Sequence, residues 1–192
     1  MKKIRLIILA ALVSSSGVAY ANDVYIAGSI GQSDFGSMGG ATSSDKNGTA
    51  FKLQLGYQFN PNWAVEGGYV DLGKSTYSGP VPGYGMATVQ IKATGFNIGA
   101  VGTVPLNDKF SLFGKFGMID GKVEAQVTIP GRSGSASATK WKPTYGFGVK
   151  YDVSKSLGIV GEYEHFDKLG DDSTIGFTAK INLLSAGVMA KF

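Results

Sequence analysis

An alternation of apolar and polar residues with a period of two recurs along most of this chain. From Phe51 to Phe59 every odd position is aromatic or aliphatic, whereas the even positions are Lys, Gln or Gly. The last residues repeat the pattern, with Val188, Ala190 and Phe192 on one face. A period of two indicates β-strands that have two different faces. The predicted fold class is therefore all-β.

The first 21 residues match a secretory signal peptide. Basic residues, an apolar run over 6–13, and the small residues Ala19 and Ala21 follow one another in the order that export signals use. The apolar run is too short to cross a bilayer as a helix. We therefore expect a signal peptide at 1–21, cleaved after Ala21, and a single domain over 22–192.

Export makes lipid the expected solvent of the apolar strand faces. Aromatic residues stand at both ends of the apolar face of 51–59, as in the two interfacial girdles of a membrane barrel. Hydrocarbon cannot hydrogen-bond a free strand edge, so a membrane sheet has to close on itself. We predict an eight-stranded antiparallel transmembrane β-barrel, an up-and-down meander. Its strands are expected near 23–33, 49–59, 63–73, 89–104, 110–119, 141–153, 157–166 and 181–192.

The fourth predicted strand changes its parity. Val89 and Ile91 put odd positions outward, whereas Phe96 and Ile98 need even positions outward. We expect a β-bulge at 93–95, or an extension above the lipid where neither face is constrained. Short turns alternate with long polar loops, which are predicted at 34–48, 74–88, 120–140 and 167–180.

Composition and charge argue against several function classes. Three of the 18 basic residues lie in the signal peptide, which leaves 15 basic and 14 acidic residues. A net charge this small does not indicate nucleic-acid binding. The absence of Cys excludes thiol chemistry and disulfides. His165 and Glu164 alternate to opposite faces, and Asp167, Asp171 and Asp172 lack the spacing of a calcium loop. We predict no catalytic residue, metal site or cofactor.

Three segments, 56–73, 104–117 and 148–166, resemble the membrane domain of the outer membrane protein A (OmpA) family. Each is a strand–turn–strand unit, and together they cover most of the chain outside the long loops. The resemblance implies an outer-membrane location. The family usually continues into a periplasmic peptidoglycan-binding domain, which we expect to be absent because this chain stops at Phe192.

The expected partners follow from a barrel of this kind. They are outer-membrane lipid and lipopolysaccharide, the barrel-assembly machinery and an extracellular ligand at the loops, with the barrel itself a monomer. Val188, Ala190 and Phe192 are predicted to form the assembly signal in the last strand.

Six charged residues share inward parity. Buried charges persist only when they are paired or hydrated, so we predict a charge network in the lumen and a bridge from Glu66 to a lysine. The predicted members are Lys52, Glu66, Lys115, Lys150, Glu162 and Glu164.

The resemblance adds an expectation for some of these positions. It implies that Glu66 and Lys115 stand at a lumenal Glu and a lumenal Arg of the family. Val101 and Val160 replace basic partners, and Lys150 stands where a second Glu is expected. The family's charge pattern is therefore rearranged in this sequence, and its salt-bridge gate is not expected to carry over.

The predicted function is a structural or surface-interaction role through the extracellular loops. The alternative is a narrow, porin-like channel for small solutes, gated by lumenal ion pairs. A lipid-modifying enzyme is the third reading, and the missing catalytic triad argues against it. A wide pore is excluded because side chains fill the lumen of an eight-stranded barrel.

The export signal yields the first test. Because the cleavage site follows Ala21, we expect the protein isolated from membranes to begin at Asn22. Intact-mass spectrometry of the purified protein measures this directly. A mass that includes Met1 would contradict cleavage.

Overall fold

Nine strands make up most of the described chain. The computed structural model describes residues 24–36, 43–81, 85–171, 173 and 176–192. None of these residues belongs to a helix long and apolar enough to cross a membrane. In chain order the strands are β1 Val24–Asp34, β2 Ser43–Asp45, β3 Asn47–Asn60, β4 Trp63–Val81, β5 Gly85–Pro105, β6 Phe110–Ile129, β7 Arg132–Asp152, β8 Leu157–Asp171 and β9 Phe177–Lys191.

Eight of these strands close into a ring. Antiparallel pairings run from β1 through β3, β4, β5, β6, β7 and β8 to β9, and β9 pairs back onto β1 from Tyr25↔Lys191 to Asp34↔Asn182. The short strand β2 stands outside the ring and pairs with β4. The prediction of eight antiparallel strands in an up-and-down barrel is confirmed.

The two ends of the ring differ. Short turns at 61–62, 106–109 and 153–156 lie at one end, the turn end, and the opposite end is the hairpin end. The loops predicted at 74–88 and 120–140 are largely wrong, because most of these residues continue β4 to β7 as paired hairpins. Their outward faces carry mainly Ser, Thr, Gln and Lys, so the apolar alternation stops while the backbone pairing continues.

Strand β5 is regular, so the bulge at 93–95, the first of the two predicted alternatives, is wrong. It pairs with β6 without a register shift. Ile91 and Ala93 are buried inside the ring, and Val89 packs against the same core. Their predicted outward orientation is wrong because the interior at this height is itself apolar, so apolar parity no longer marks the lipid side.

The parity change lies on the neighbouring strand β4. One extra residue enters β4 between Asp71 and Lys74, and Gly73 there has a φ of 75°. Before this bulge the even side chains point inward, as Leu72 does, and after it the odd ones do, as Ser75 does. Glycine suits the position because positive φ strains other residues.

The outward face of the ring is an apolar band. Leu55 is 57% exposed, whereas its neighbour Gln54 points inward and is 3% exposed. The same alternation runs along every ring strand near the turn end. Such a band requires an apolar solvent to cover it.

Aromatic side chains stand at both edges of this band. Phe110 and Tyr151 contact each other beside the turn end, with ring centroids 4.7 Å apart. On the opposite edge, Tyr69 lies 6.1 Å from Phe51 and 5.3 Å from Phe96. Two aromatic girdles are typical of barrels that span a membrane.

A close-packed apolar core fills the hairpin end of the ring. It lies inside the strands rather than between two sheets, and many of its side chains are fully buried. Its buried members are Phe35, Ala50, Val70, Leu72, Tyr77, Ile91, Ala93, Ile119, Val123, Phe166, Leu169, Ala179, Ile181 and Leu183.

The apolar band can be tested by placing a charge on it. Leu55→Arg is expected to destabilise the folded barrel by about 2–4 kcal/mol, because Leu55 lies mid-strand where the side chain meets hydrocarbon. Gln126→Arg is the control, since Gln126 is exposed on the hairpin extension of β6. Urea titration of both variants in bilayers measures the difference. Equal losses would mean that the band does not face lipid.

Candidate functional site: a charge network in the lumen

Five charged side chains from four strands meet inside the ring. Lys52 Nζ on β3 lies 2.9 Å from Glu162 Oε2 and 2.7 Å from Glu164 Oε2, both on β8. Lys115 Nζ on β6 lies 2.6 Å from Glu66 Oε2 on β4 and 3.2 Å from Glu162 Oε2. Glu162 therefore joins the two lysines into one network.

Two hydroxyl groups also contact this network. The Tyr25 hydroxyl donates to Glu66 Oε1 at 2.6 Å, and the Thr144 hydroxyl donates to Glu164 Oε1 at 3.0 Å. The sequence prediction missed both residues because it considered only charged groups. Tyr25 alternates with two outward apolar residues, so its inward parity could have been read from the sequence. An inward tyrosine can donate to a lumenal acid, and this was the signal for its role.

Lys150 lies outside this network. Its Nζ atom is 3.5 Å from Asp152 at the turn end, where Lys191 also contacts Asp152 at 2.7 Å. The register explains the separation, since Lys150 pairs with Val160, two residues nearer the turn end than Glu162. Inward parity was predicted for Lys150, but parity alone does not fix its height in the barrel.

Burial makes each contact of the network costly to lose. Lys52, Glu162 and Glu164 are each at most 5% exposed in their side chains. Taking such charges out of water is unfavourable, and only short, multiple contacts offset that cost. Each lysine contacts two carboxylates. The arrangement is therefore a rigid cross-link between strands.

The apolar core closes the lumen above this network. Phe166, Ile181 and Leu183 have no exposed surface, and the core extends to Phe35 and Tyr77 near the hairpin end. Water has no polar path through close-packed apolar side chains. The network is therefore closed off from the hairpin end of the barrel.

Of the groups considered for catalysis and metal binding, His165 and Asp167 lie near each other, with 3.9 Å between His165 Nε2 and Asp167 Oδ1. His165 points outward, where its Nδ1 atom lies 2.6 Å from Asn182 Oδ1 and its ring packs on Tyr145. Asp171 lies 3.5 Å from Lys140 Nζ. Asp172 is outside the described residues. Within the described part of the chain, no group of three or more His, Cys, Asp or Glu residues is placed to hold a metal ion.

The residues predicted for assembly and processing have separate positions. Val188 and Ala190 face outward on β9, and the Phe192 N–H donates to the Val24 carbonyl at 2.9 Å. Phe192 thus ties the last strand to the first. The predicted cleavage site lies outside the described residues. The assembly role of these residues stays a prediction.

A comparison with protein families identifies the family that has this architecture. Residues 6–192 match the family described as outer membrane protein beta-barrel domain. The chain belongs to that family. It is therefore an outer-membrane protein, and the predicted location is confirmed. Because short turns of such barrels are periplasmic, the turn end faces the periplasm and the hairpin end faces outward.

Curated relatives agree with this assignment. Outer membrane protein A of Escherichia fergusonii is 28% identical over 204 residues, which covers 100% of this chain and 56% of the relative. The protein of the same name from Shigella flexneri is 29% identical over 203 residues, with the same coverage. This chain spans about half the length of these relatives. The predicted OmpA-like resemblance is confirmed.

Solved structures show the same fold. The attachment invasion locus protein Ail of Yersinia pestis superposes with a TM-score of 0.61 and 24% identity, covering 90% of this chain and 100% of Ail. Neisserial surface protein A superposes with a TM-score of 0.58 and 17% identity, covering 88% of this chain and 97% of that protein.

The bridge between Glu66 and Lys115 can be measured by a double-mutant cycle. Glu66→Gln and Lys115→Met should each destabilise the barrel, by up to about 3–5 kcal/mol, because each removes one partner of a buried charge. The double variant should lose less than the sum. Urea unfolding gives all three values. Lys150→Met is the control, and its loss should add to that of Glu66→Gln. Additive losses for Glu66 and Lys115 would contradict the bridge.

Proposed function

We propose that this outer-membrane barrel holds a protruding β-sheet at the cell surface and contacts extracellular ligands through it. The observation that carries the proposal is the length of four consecutive strands. β4, β5, β6 and β7 have 19, 21, 20 and 21 residues. A tilted strand of about 9–11 residues crosses the membrane, so half of each strand stands beyond the lipid.

One edge of this sheet lacks a neighbouring strand. The pairing of β7 with β8 ends at Thr144↔Phe166, whereas the pairing of β7 with β6 continues to Ile129↔Arg132. Over residues 132–143, the described chain supplies no strand on the second side of β7. Unpaired backbone groups along such an edge can bind an extended polypeptide segment. The edge is therefore our candidate for ligand contact.

The outward face of the sheet is polar with locally balanced charge. Lys122 Nζ lies 2.8 Å from Glu124 Oε1, and Lys92 Nζ lies 3.7 Å from Asp71 Oδ2. The hydrogen bond and positive charge of Lys122 hold the pKa of Glu124 below its usual value. Because Lys92 and Lys122 already have acidic partners, these two lysines do not favour a polyanion. The structure of Ail with the heparin analogue sucrose octasulfate nevertheless makes a sulfated sugar the natural comparison ligand.

The two other predicted functions have less support. A channel requires a polar path, and the apolar core closes the lumen toward the hairpin end. An enzyme requires a nucleophile beside a base, and His165 contacts Asn182 and Tyr145 on the outer surface. We infer that the protein is not an enzyme. The apolar band implies contact with lipid, while lipopolysaccharide, the assembly machinery and the monomeric state stay predictions.

Surface display and ligand contact can be tested together on intact cells. Replacing residues 124–137 by Asn-Gly joins Val123 to Ala138, which are register partners, so a two-residue turn should close the shortened hairpin. We expect binding to an immobilised panel of secreted proteins to fall at least tenfold. Binding to immobilised heparin is measured in the same assay. The control shortens the β4–β5 hairpin in the same way, replacing residues 79–87 between Ser78 and Thr88.

Cysteine labelling supplies the display control, because the chain has no native Cys. On intact cells, an impermeant maleimide should label Ser135→Cys in the β7 extension and leave Ser154→Cys in a short turn unlabelled. The reverse labelling would contradict the orientation. Unchanged binding after removal of the β6–β7 hairpin would contradict the role of the β7 edge.

A further inference from the structure

The inner face of the protruding sheet carries apolar rows. The register joins inward-facing residues of β5, β6 and β7 into cross-strand rows that lie one above another. Each row ends on β7 with a glycine or an alanine. The rows are Val89, Val127 and Gly134; Ile91, Ala125 and Ala136; and Ala93, Val123 and Ala138. The inner face is therefore apolar, and its side chains are smallest at the free edge of β7.

The outer face of the same strands is polar. Its rows alternate with the apolar ones, because successive side chains of a strand point to opposite faces. A further strand beside β7 would extend both sets of rows, so its side chains would have to alternate between apolar and polar surroundings. Two of the outer rows are Gln90, Gln126 and Ser135, and Lys92, Glu124 and Ser137.

The small residues of β7 leave an apolar groove beside its free edge. The groove has a volume of about 550 Å³, and its walls include Val89, Val127, Gly134, Ala136 and Phe177. Val127 is 42% exposed, and a Cβ atom on Gly134 would meet no atom within 4 Å beyond its chain neighbours. Clefts that bind ligands have volumes of about 300–1,000 Å³ and mainly apolar walls. The groove is therefore large enough to bind a ligand.

The position of the groove favours an extended polypeptide as its occupant. Gly134, Ser135 and Ala136 line the groove, and they also lie in the segment of β7 that has no second neighbouring strand among the described residues. A strand added to a sheet edge gains main-chain hydrogen bonds, and pockets for its alternate side chains give specificity. Both requirements are met at the same residues of β7.

A second copy of this chain would fill the groove poorly. Residues 133–138 of β7 are Ser, Gly and Ala alone. The edge strand of another copy would therefore bring small side chains to either face of the sheet, and most of the groove would stay empty. The partner strand has to bring larger apolar side chains.

We propose that the apolar groove binds the apolar side chains of an extended polypeptide strand that pairs with β7. This inference rests on the proposed function, since it takes the free β7 edge as the docking position, and it adds the class of partner. The partner strand alternates apolar residues of valine size or larger, which enter the groove, with polar residues, which continue the outer face. Backbone pairing positions the strand, and the groove selects its side chains.

Synthetic peptides test the selection by the groove. The probe is Lys-Thr-Val-Thr-Val-Thr-Val-Thr-Lys, and its isomer Lys-Thr-Val-Val-Thr-Thr-Thr-Val-Lys has the same composition without the alternation. Fluorescence anisotropy of the labelled peptides measures binding to the protein in lipid nanodiscs, with empty nanodiscs as the background. We expect the alternating peptide to bind about tenfold more tightly, because only it can bury all its valines on one face.

Filling the groove should weaken this binding. Ala136→Leu adds an apolar side chain at an exposed position of the inner face, so the barrel should still fold. Affinity for the alternating peptide should fall about tenfold, since one valine loses its buried site. Ser137→Leu is the matched control on the outer face and should leave the affinity unchanged. In Ala136→Leu, a peptide with one valine replaced by glycine should regain affinity, because the glycine leaves room for the introduced leucine.

A fully N-methylated alternating peptide separates this inference from the proposed function. It cannot donate hydrogen bonds to the β7 edge, so it should not bind. If N-methylation abolishes binding while Ala136→Leu and the isomer change nothing, the edge binds ligands but the groove inference is wrong. Binding that survives N-methylation would contradict pairing with β7 and overturn the proposal in favour of an apolar ligand without a strand. No binding of the alternating peptide would overturn the groove inference, while shortening of the β6–β7 hairpin tests the proposed function independently.

Discussion

Closure of the backbone hydrogen-bond ladder is the constraint on which the rest of this structure depends. Inside a membrane, an unpaired N–H or C=O group finds no water, so strands cross only as a closed ring. The pairing of β9 with β1 supplies the closure, and Phe192 extends it by bonding to Val24. Eight strands fix a diameter that side chains just fill. Every interior group must then pack or pair within that width.

The interior meets this demand differently at two heights. Near the cell surface it is an apolar core, where Phe166 and Ile181 are fully buried. Nearer the periplasm it is a charge network that cross-links four strands. Glycines make room for it, as Gly56 does beneath the ring of Tyr25. The core excludes water, so the charged side chains below it have to pair with one another.

The constraint of closure applies only within the membrane, and the outer parts of four strands lie beyond it. Beyond the apolar band, β4 to β7 continue as a sheet in water, and their pairing no longer needs to form a ring. An open edge, which hydrocarbon would forbid, is acceptable there. A barrel closed by its own core and carrying an open sheet is suited to surface contact rather than to transport.

Local residue patterns alone were enough for the fold class, the strand number and the inward parity of Lys52, Glu66 and Lys115. These properties repeat over a few residues, so the sequence displays them directly. Tertiary structure decided that Lys150 lies apart from the network, that the bulge falls on β4, and that the supposed loops are hairpins. Each of these depends on register, which long-range pairing sets. A one-residue slip reverses every face, so no local pattern can specify which distant side chains meet.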